Sequence, residues 1–401
     1  MINKFDQDIN VVSLVPGMTD VSSEVSLLKA KAQSSIANIL GSNGYDSYEY
    51  PILEPTELFV RKSGGEITSR LFSFVDPGGN RVSLRPEFTS SVIRAYVSSG
   101  LEDCKVLRSQ YVGPVFRYSD PTSQSTLRQF TQQGCEIIGS VPGQLNGDFE
   151  ILNLAIKAVD AISSGKLTVK LGNVGFIKNI LSSFGLNEVL IYFTLSHLTD
   201  IKASASSINE ICHKAKDMGL VVSSGRNILS NQNYDTQLTG EALSQAIGVE
   251  TGRRTKKEIL ERLDRKKSQI IEMNVYKNAL DELASFLRVF DGRLSEIDID
   301  STFSGEFSKS MKYFSDLTHG LDKTKNVSVD YIIDFASKRG VTYYTGFIFD
   351  LDMSTDKDRY SIGGGGRYDG LVKSLGGESD VPAIGFALNI DTLLKTSRDT
   401  L

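Results

Sequence analysis

Seven charged residues fall inside stretches whose apolar patterning reads as β-strand: Arg85, Glu87, Arg117, Arg128, Glu136, Arg339 and Arg367. A guanidinium or carboxylate facing a core is costly unless it meets an opposite charge or lines a wet pocket. Any one of them alone reads as half of a structural ion pair. Several on neighbouring strands of one sheet describe a pocket bearing both signs, which suits a zwitterion such as an amino acid. The densest glycine cluster, GGGGRYDG at 363–370, fits neither G-x-x-x-x-G-K-[ST] nor G-x-G-x-x-G. Its glycines either let a ligand approach the backbone or relieve a clash at a bulge, and the residues alone leave both open. The three histidines, His197, His213 and His319, lie far from these stretches. That argues against a histidine-based triad or metal site.

The elements that must position these groups can be read along the chain. Residues 22–41 place Val25, Leu28, Ala32, Ile36, Ile39 and Leu40 at helical spacing, and Gly41 is a plausible stop. YDSYEYPILEPTELF then reads as a strand emerging into a rigid turn at Pro51 and Pro55. LFSFVD and RVSLRPE are joined by PGGN at 77–80, a hairpin signal. A helix is expected over 88–100, a second strand pair in VLRSQYVGPVFRYSD and LRQFTQQGCEIIGS, and an amphipathic helix over 148–164. From 165 to 325 the texture becomes helical, most clearly over 255–290, and its charge run reads as a solvated helix face. Strand character returns in VSVDYIIDFA, TYYTGFIFDLDM and RYSIGGGG, followed by LVKSLGG and an apolar terminal helix, FALNIDTLLKTS. The pattern is α+β: a mainly antiparallel sheet flanked by helices. Its core would comprise residues 1–164 and 326–401, with 165–325 as a mainly helical insertion.

Composition narrows the function classes. Over 401 residues, 44 Lys+Arg stand against 49 Asp+Glu for a net charge of −5, so no basic field advertises nucleic acid. Cys104, Cys135 and Cys212 are widely spaced and form neither a zinc pattern nor a disulfide framework, as expected in a reducing compartment. The N-terminus lacks an apolar leader, and no run approaches the ~18 apolar residues that cross a bilayer. The expected location is cytoplasmic, without membrane or cofactor.

Several ordered blocks carry a resemblance. LRPEFT (84–89), YVGPVFRY with LRQFTQQGCEIIG (111–118 and 127–139), RGVTYYTG (339–346) and GGRYDGLVKSLGG with VPAIGFAL (365–377 and 381–388) resemble, in order, the signature blocks of the histidyl-tRNA synthetase catalytic domain. The resemblance implies a class II aminoacyl-tRNA synthetase fold, and Pro51 after the first long helix fits that class's dimer-interface motif. It also implies a histidine pocket: Glu87 and Thr89 near the α-amino group with Gln132 nearby, Glu136 and Tyr344 at the imidazole, and Arg339 at the carboxylate. Arg117 and Tyr343 complete the expected histidine-binding set. Carboxylate for ammonium, guanidinium for carboxylate, and Glu with phenol for ring nitrogens are charge-assisted or directional bonds.

The nucleotide half departs from the family pattern. Ser119 stands where the family has a Glu after F-R-H or F-R-Y, Thr126 where an arginine reaches the γ-phosphate, Thr342 where R-G-L-D-Y-Y has its Asp, and Thr392 where G-L-E-R-L has its Arg. Losing a preorganised charge of this kind typically raises a barrier by ~2.7–4 kcal/mol. The chain also stops about ten residues after the last motif helix, so the expectation is that it has no anticodon-binding domain and charges no tRNA. This combination resembles the regulatory subunit of ATP phosphoribosyltransferase, a paralogue without a reaction of its own. In that family the subunit binds histidine, forms homodimers within a hetero-octamer, and activates and regulates the short-form catalytic subunit in histidine biosynthesis. Two alternatives stand: an enzyme activating histidine or a related amino acid with ATP for a non-tRNA acceptor, and a structural partner built on an inactive synthetase.

Overall fold

The computed structural model describes residues 12–62, 69–100, 106–119, 127–141, 143–223, 271–289, 292–296, 306–321, 323–336, 343–355 and 358–397. Two compact units emerge, the first comprising Met1–Leu171, Asp298–Ile332 and Tyr343–Leu401, the second Gly172–Ile297 and Ile333–Thr342. The described residues 165–171, 306–321 and 323–325, grouped with the helical region by composition, thus fall in the first unit.

In the first unit, α1 (Ser23–Ser42) opens on Ser22, whose Oγ accepts the Val25 N–H at 3.4 Å. Ala32, Ile36 and Leu40, one turn apart, form its buried stripe. The chain continues through β1 (Asp46–Ser47), β2 (Leu53–Pro55), α2 (Thr56–Lys62), β3 (Ser73–Val75) and β4 (Arg81–Leu84). Strands β2, β4 and β3 form a small antiparallel sheet whose PGGN turn is closed by the Asn80 N–H donating to Asp76 Oδ1 at 2.8 Å. Next come α3 (Thr89–Ser98), β5 (Leu107–Phe116), β6 (Gln129–Ile138), α4 (Gln144–Ile162) and β7 (Gly165–Asn173).

The second unit holds α5 (Val174–Ser183), α6 (Glu188–Leu195), α7 (Leu198–Ala203), α8 (Ala205–Asp217) and α9 (Met273–Val289), with the two-residue strands β8 (Val221–Val222), β9 (Ile271–Glu272) and β10 (Gly292–Arg293). Its helices bury Ile177, Leu190, Ile211, Leu280 and Leu283. Within that core the Tyr276 hydroxyl lies 3.0 Å from Thr194 Oγ1.

The first unit is completed by α10 (Glu306–His319), β11 (Val327–Ile333), β12 (Phe347–Ser354), β13 (Arg359–Arg367), α11 (Leu371–Ser374), β14 (Ala383–Asn389) and α12 (Ile390–Leu394). Its main sheet runs β1-β5-β6-β14-β13-β12-β7-β11. The β1–β5 pair is parallel, and the pairs β5–β6, β6–β14, β14–β13 and β13–β12 are antiparallel. One sequence expectation fails locally. FALNIDTLLKTS is not a single helix: FALN finishes β14, and only Ile390–Leu394 is helical. A short apolar run has no decisive period, and here pairing with β6 and β13 decides.

The two faces of this sheet differ. Cys135 and Ile137 of β6, Ile384 and Phe386 of β14 and Phe349 of β12 are buried on one side, where α1 and α4 cover the strands. On that side Gln133 Nε2 donates to the Gln33 carbonyl of α1 at 2.9 Å. Alternation puts Gln132, Gly134 and Glu136 on the other side, next to Tyr111, Ala387 and Gly385 of adjoining strands. Small residues there leave a surface shaped by side chains from loops and from α3. Among the described residues no helix is long and apolar enough to cross a membrane.

Candidate functional site

Glu136, 1% exposed, is the centre of this second face. Thr89 Oγ1 donates to its Oε1 at 2.8 Å and the Tyr111 hydroxyl at 3.1 Å, while the Tyr368 hydroxyl donates to Oε2. Burial first, and the Glu136 charge second, push both phenols well above the ordinary tyrosine range, so each remains a donor at any physiological pH. Hydroxyl dipoles stabilise a buried carboxylate without cancelling its charge. The arrangement favours a ligand that brings an N–H donor or a positive charge.

Local sequence explains how the carboxylate fits. Gly385 faces Glu136 across the β14–β6 register, and any side chain there would run into the carboxylate. One strand further, a Cβ on Gly366 would come within 3.0 Å of the Tyr344 ring. The glycines of GGGGRYDG thus admit neighbouring side chains to the strand backbone. Tyr344 stands 4.3 Å, ring centre to ring centre, from Tyr343 and 6.5 Å from Tyr368, so the three phenols form one cluster beside Glu136. Four residues along β6 from Glu136 and on the same face, Gln132 Oε1 is buried and has no hydrogen-bond partner among the described residues. Such an acceptor is expensive to leave unmet.

The other expected site residues divide. Glu87 accepts from the Ser90 N–H at 3.3 Å and from Ser90 Oγ at 2.5 Å, closing the first turn of α3, while Thr89 turns to Glu136. Arg117 Nε donates to the Pro86 carbonyl at 2.9 Å, with its guanidinium carbon 5.2 Å from the Phe130 ring centre. Arg128 donates to the Ser119 carbonyl at 3.2 and 2.9 Å and lies over Tyr118. The Thr392 N–H donates to Asn389 Oδ1 at 3.1 Å, capping α12. Beside it Asp391 accepts the Thr131 N–H at 2.6 Å and pairs with Lys29 at 2.7 Å. Arg339, Thr126 and Thr342 lie outside the described residues.

Arg85 and Arg367 have structural partners as well. Arg85 binds the carbonyls of Tyr50 and Pro114 at 2.6 and 2.9 Å, and burial lowers its guanidinium from the usual range. Arg367, 5% exposed, meets Asp148 at 2.5 Å and Asp369 at 3.1 Å. Burial opposes its charge, but the two carboxylates raise its pKa overall. His197 is tied to the Phe193 carbonyl at 2.9 Å. No group of three metal-ligating side chains occurs among the described residues.

The sequence matches the family described as Histidyl-tRNA synthetase over residues 17–216 and 219–393. The chain belongs to the histidyl-tRNA synthetase family. It is 30% identical over 379 residues to a histidine-tRNA ligase of Sulfurisphaera tokodaii, covering 94% of this chain and 73% of that protein. A histidine-tRNA ligase of Methanocaldococcus jannaschii is 29% identical over 367 residues, 92% and 71% of the two chains. Among solved structures, a protein described as an ATP phosphoribosyltransferase regulatory subunit/histidyl-tRNA synthetase from Bacillus halodurans superposes with a TM-score of 0.64 at 21% identity, over 97% of this chain and 84% of that one. Apo histidyl-tRNA synthetase of S. aureus gives a TM-score of 0.51 at 20% identity, over 96% and 70%. The fold is that of a class II aminoacyl-tRNA synthetase, mixed α+β with an antiparallel-rich central sheet and flanking helices.

Within this family fold, residue type and spacing alone single out neither Tyr111 nor Tyr368. Both lie inside quoted blocks, where a phenol in a strand reads as core. The usable signal was chemical: a buried phenol needs a hydrogen-bond partner, and Glu136 is the strand carboxylate within reach.

Proposed function

We propose that this chain is a regulatory subunit that binds histidine and acts on the short-form catalytic subunit of ATP phosphoribosyltransferase, with no amino-acid activation of its own. The observation that carries the reading is a contrast within one site. Glu136, Thr89, Tyr344 and Gln132 keep the side chains expected of a histidine pocket. Ser119 and Thr392 supply neither the carboxylate nor the guanidinium that nucleotide activation uses. Likeness to the Bacillus halodurans protein supports the fold of such a subunit. Homodimers within a hetero-octamer, the assembly implied by the resemblance, belong to the same proposal.

The test is reconstitution with a short-form catalytic subunit. The reading expects this chain to raise phosphoribosyl transfer and histidine to modulate it; a catalytic subunit indifferent to the chain contradicts it. Ligation is the second reading, favoured by the relatives at 30% and 29% identity and by the retained Arg117. It requires histidine-dependent chemistry on ATP.

A further inference from the structure

We propose that Tyr111 is a positioning residue for Glu136, and that through the carboxylate it sets selectivity for ligands bearing a ring N–H. This rests on the histidine-binding reading for its ligand, not for its geometry. Tyr111 is 2% exposed, and its ring stacks on Phe88 with centres 4.3 Å apart and planes 12° from parallel. The Arg85 guanidinium carbon stands 4.0 Å from the Phe88 ring centre, and Arg85 is itself fixed by backbone carbonyls. The phenol oxygen is therefore held by packing as well as by its hydrogen bond. Its two acceptors are Glu136 Oε1 at 3.1 Å and the Phe386 carbonyl at 3.5 Å, and the shorter contact is the better bond.

Thr89 shares Oε1, but its hydroxyl rotates freely about one bond and sits on a half-buried residue at the start of α3. A ligand or water can recruit that hydroxyl; the clamped phenol has far less freedom to turn away. Phe88 stands between Glu87 and Thr89, so one short segment closes α3, clamps Tyr111 and supplies the second donor to Glu136. Loss of the Tyr111 hydroxyl would leave the ring stack in place and let the carboxylate swing about its remaining partners.

Tyr111→Phe isolates that hydroxyl. The first readout needs no ligand: in protein labelled with ¹³C at the glutamate carboxyl, the Glu136 resonance, identified by its disappearance in Glu136→Gln, should move in Tyr111→Phe. An unmoved resonance overturns the positioning role. The second readout is calorimetric titration with histidine and with phenylalanine, which lacks ring N–H groups. Histidine affinity should fall about tenfold, as for loss of a hydrogen bond to a charged group, while phenylalanine binding changes little. Equal weakening for both ligands would mark Tyr111 as merely structural. In the double variant with Glu136→Gln the two losses should not add, and additivity would overturn the coupling. A moved resonance with no histidine binding by the wild type would uphold the positioning and overturn the histidine reading instead.

Discussion

Glu136 and Arg367 are both almost fully buried on the same sheet, yet they are held in opposite ways. Arg367 meets two carboxylates, Asp148 and Asp369, so its charge is met by charge. Glu136 accepts from the hydroxyls of Thr89, Tyr111 and Tyr368, so its charge is stabilised by dipoles. A pair of opposite charges locks a structural unit; a carboxylate ringed by hydroxyl donors is held in a set orientation. The difference teaches that two equally buried charges can be held by different chemistry, a distinction that burial alone does not make.

Removing the counter-ion should have the largest effect. Arg367→Ala leaves Asp148, 1% exposed, without its guanidinium, and breaking a buried pair from one side costs about 3–5 kcal/mol. Denaturant unfolding should show that loss; a cost below 1 kcal/mol would undo the structural half of the comparison. Glu136→Gln should do the reverse, with stability changed by less than about 1 kcal/mol while histidine affinity falls about 10- to 100-fold. If unfolding and binding suffer alike, the two charges are not of different kinds.

Gly385→Ala sharpens the comparison sterically, since the new methyl meets the Glu136 carboxylate. Overpacking of this sort costs about 1–3 kcal/mol, and histidine binding should weaken with it. Alkaline pH gives a smaller, collective effect. Burial pushes Tyr50 and Tyr331 up to about 12, and Tyr111 and Tyr368 well above the ordinary value. Between pH 10 and 12 the folded chain keeps protons that the unfolded chain loses. This stability is therefore complete below about pH 10 and is lost as pH rises through the folded values. Unfolding free energy should decline above pH 10, and absorbance at 295 nm should show a group of tyrosines ionising only on unfolding.

Much of this was legible in the residues because period and turn chemistry are local. The stripe of Ala32, Ile36 and Leu40 and the PGGN turn both appear as read. What escaped was long-range. FALN pairs with strands distant in sequence, so its strand state is a property of the sheet. Tyr111 reaches Glu136 across the β5–β6 register, and Tyr368 arrives from 232 positions away. Neither spacing leaves a periodic trace. Glu87 shows the complementary case: a carboxylate three residues before Ser90 has the spacing of a helix-start contact, and the structure uses it so.

The most direct measurement is histidine-dependent exchange of pyrophosphate into ATP, made on protein whose histidine binding is followed calorimetrically in the same preparation. With Glu136 and its hydroxyl donors in place, and Ser119 and Thr392 at the positions proposed for nucleotide contacts, the expected result is saturable histidine binding with exchange at background. Exchange well above background that depends on histidine would contradict the account and establish the chain as an activating enzyme.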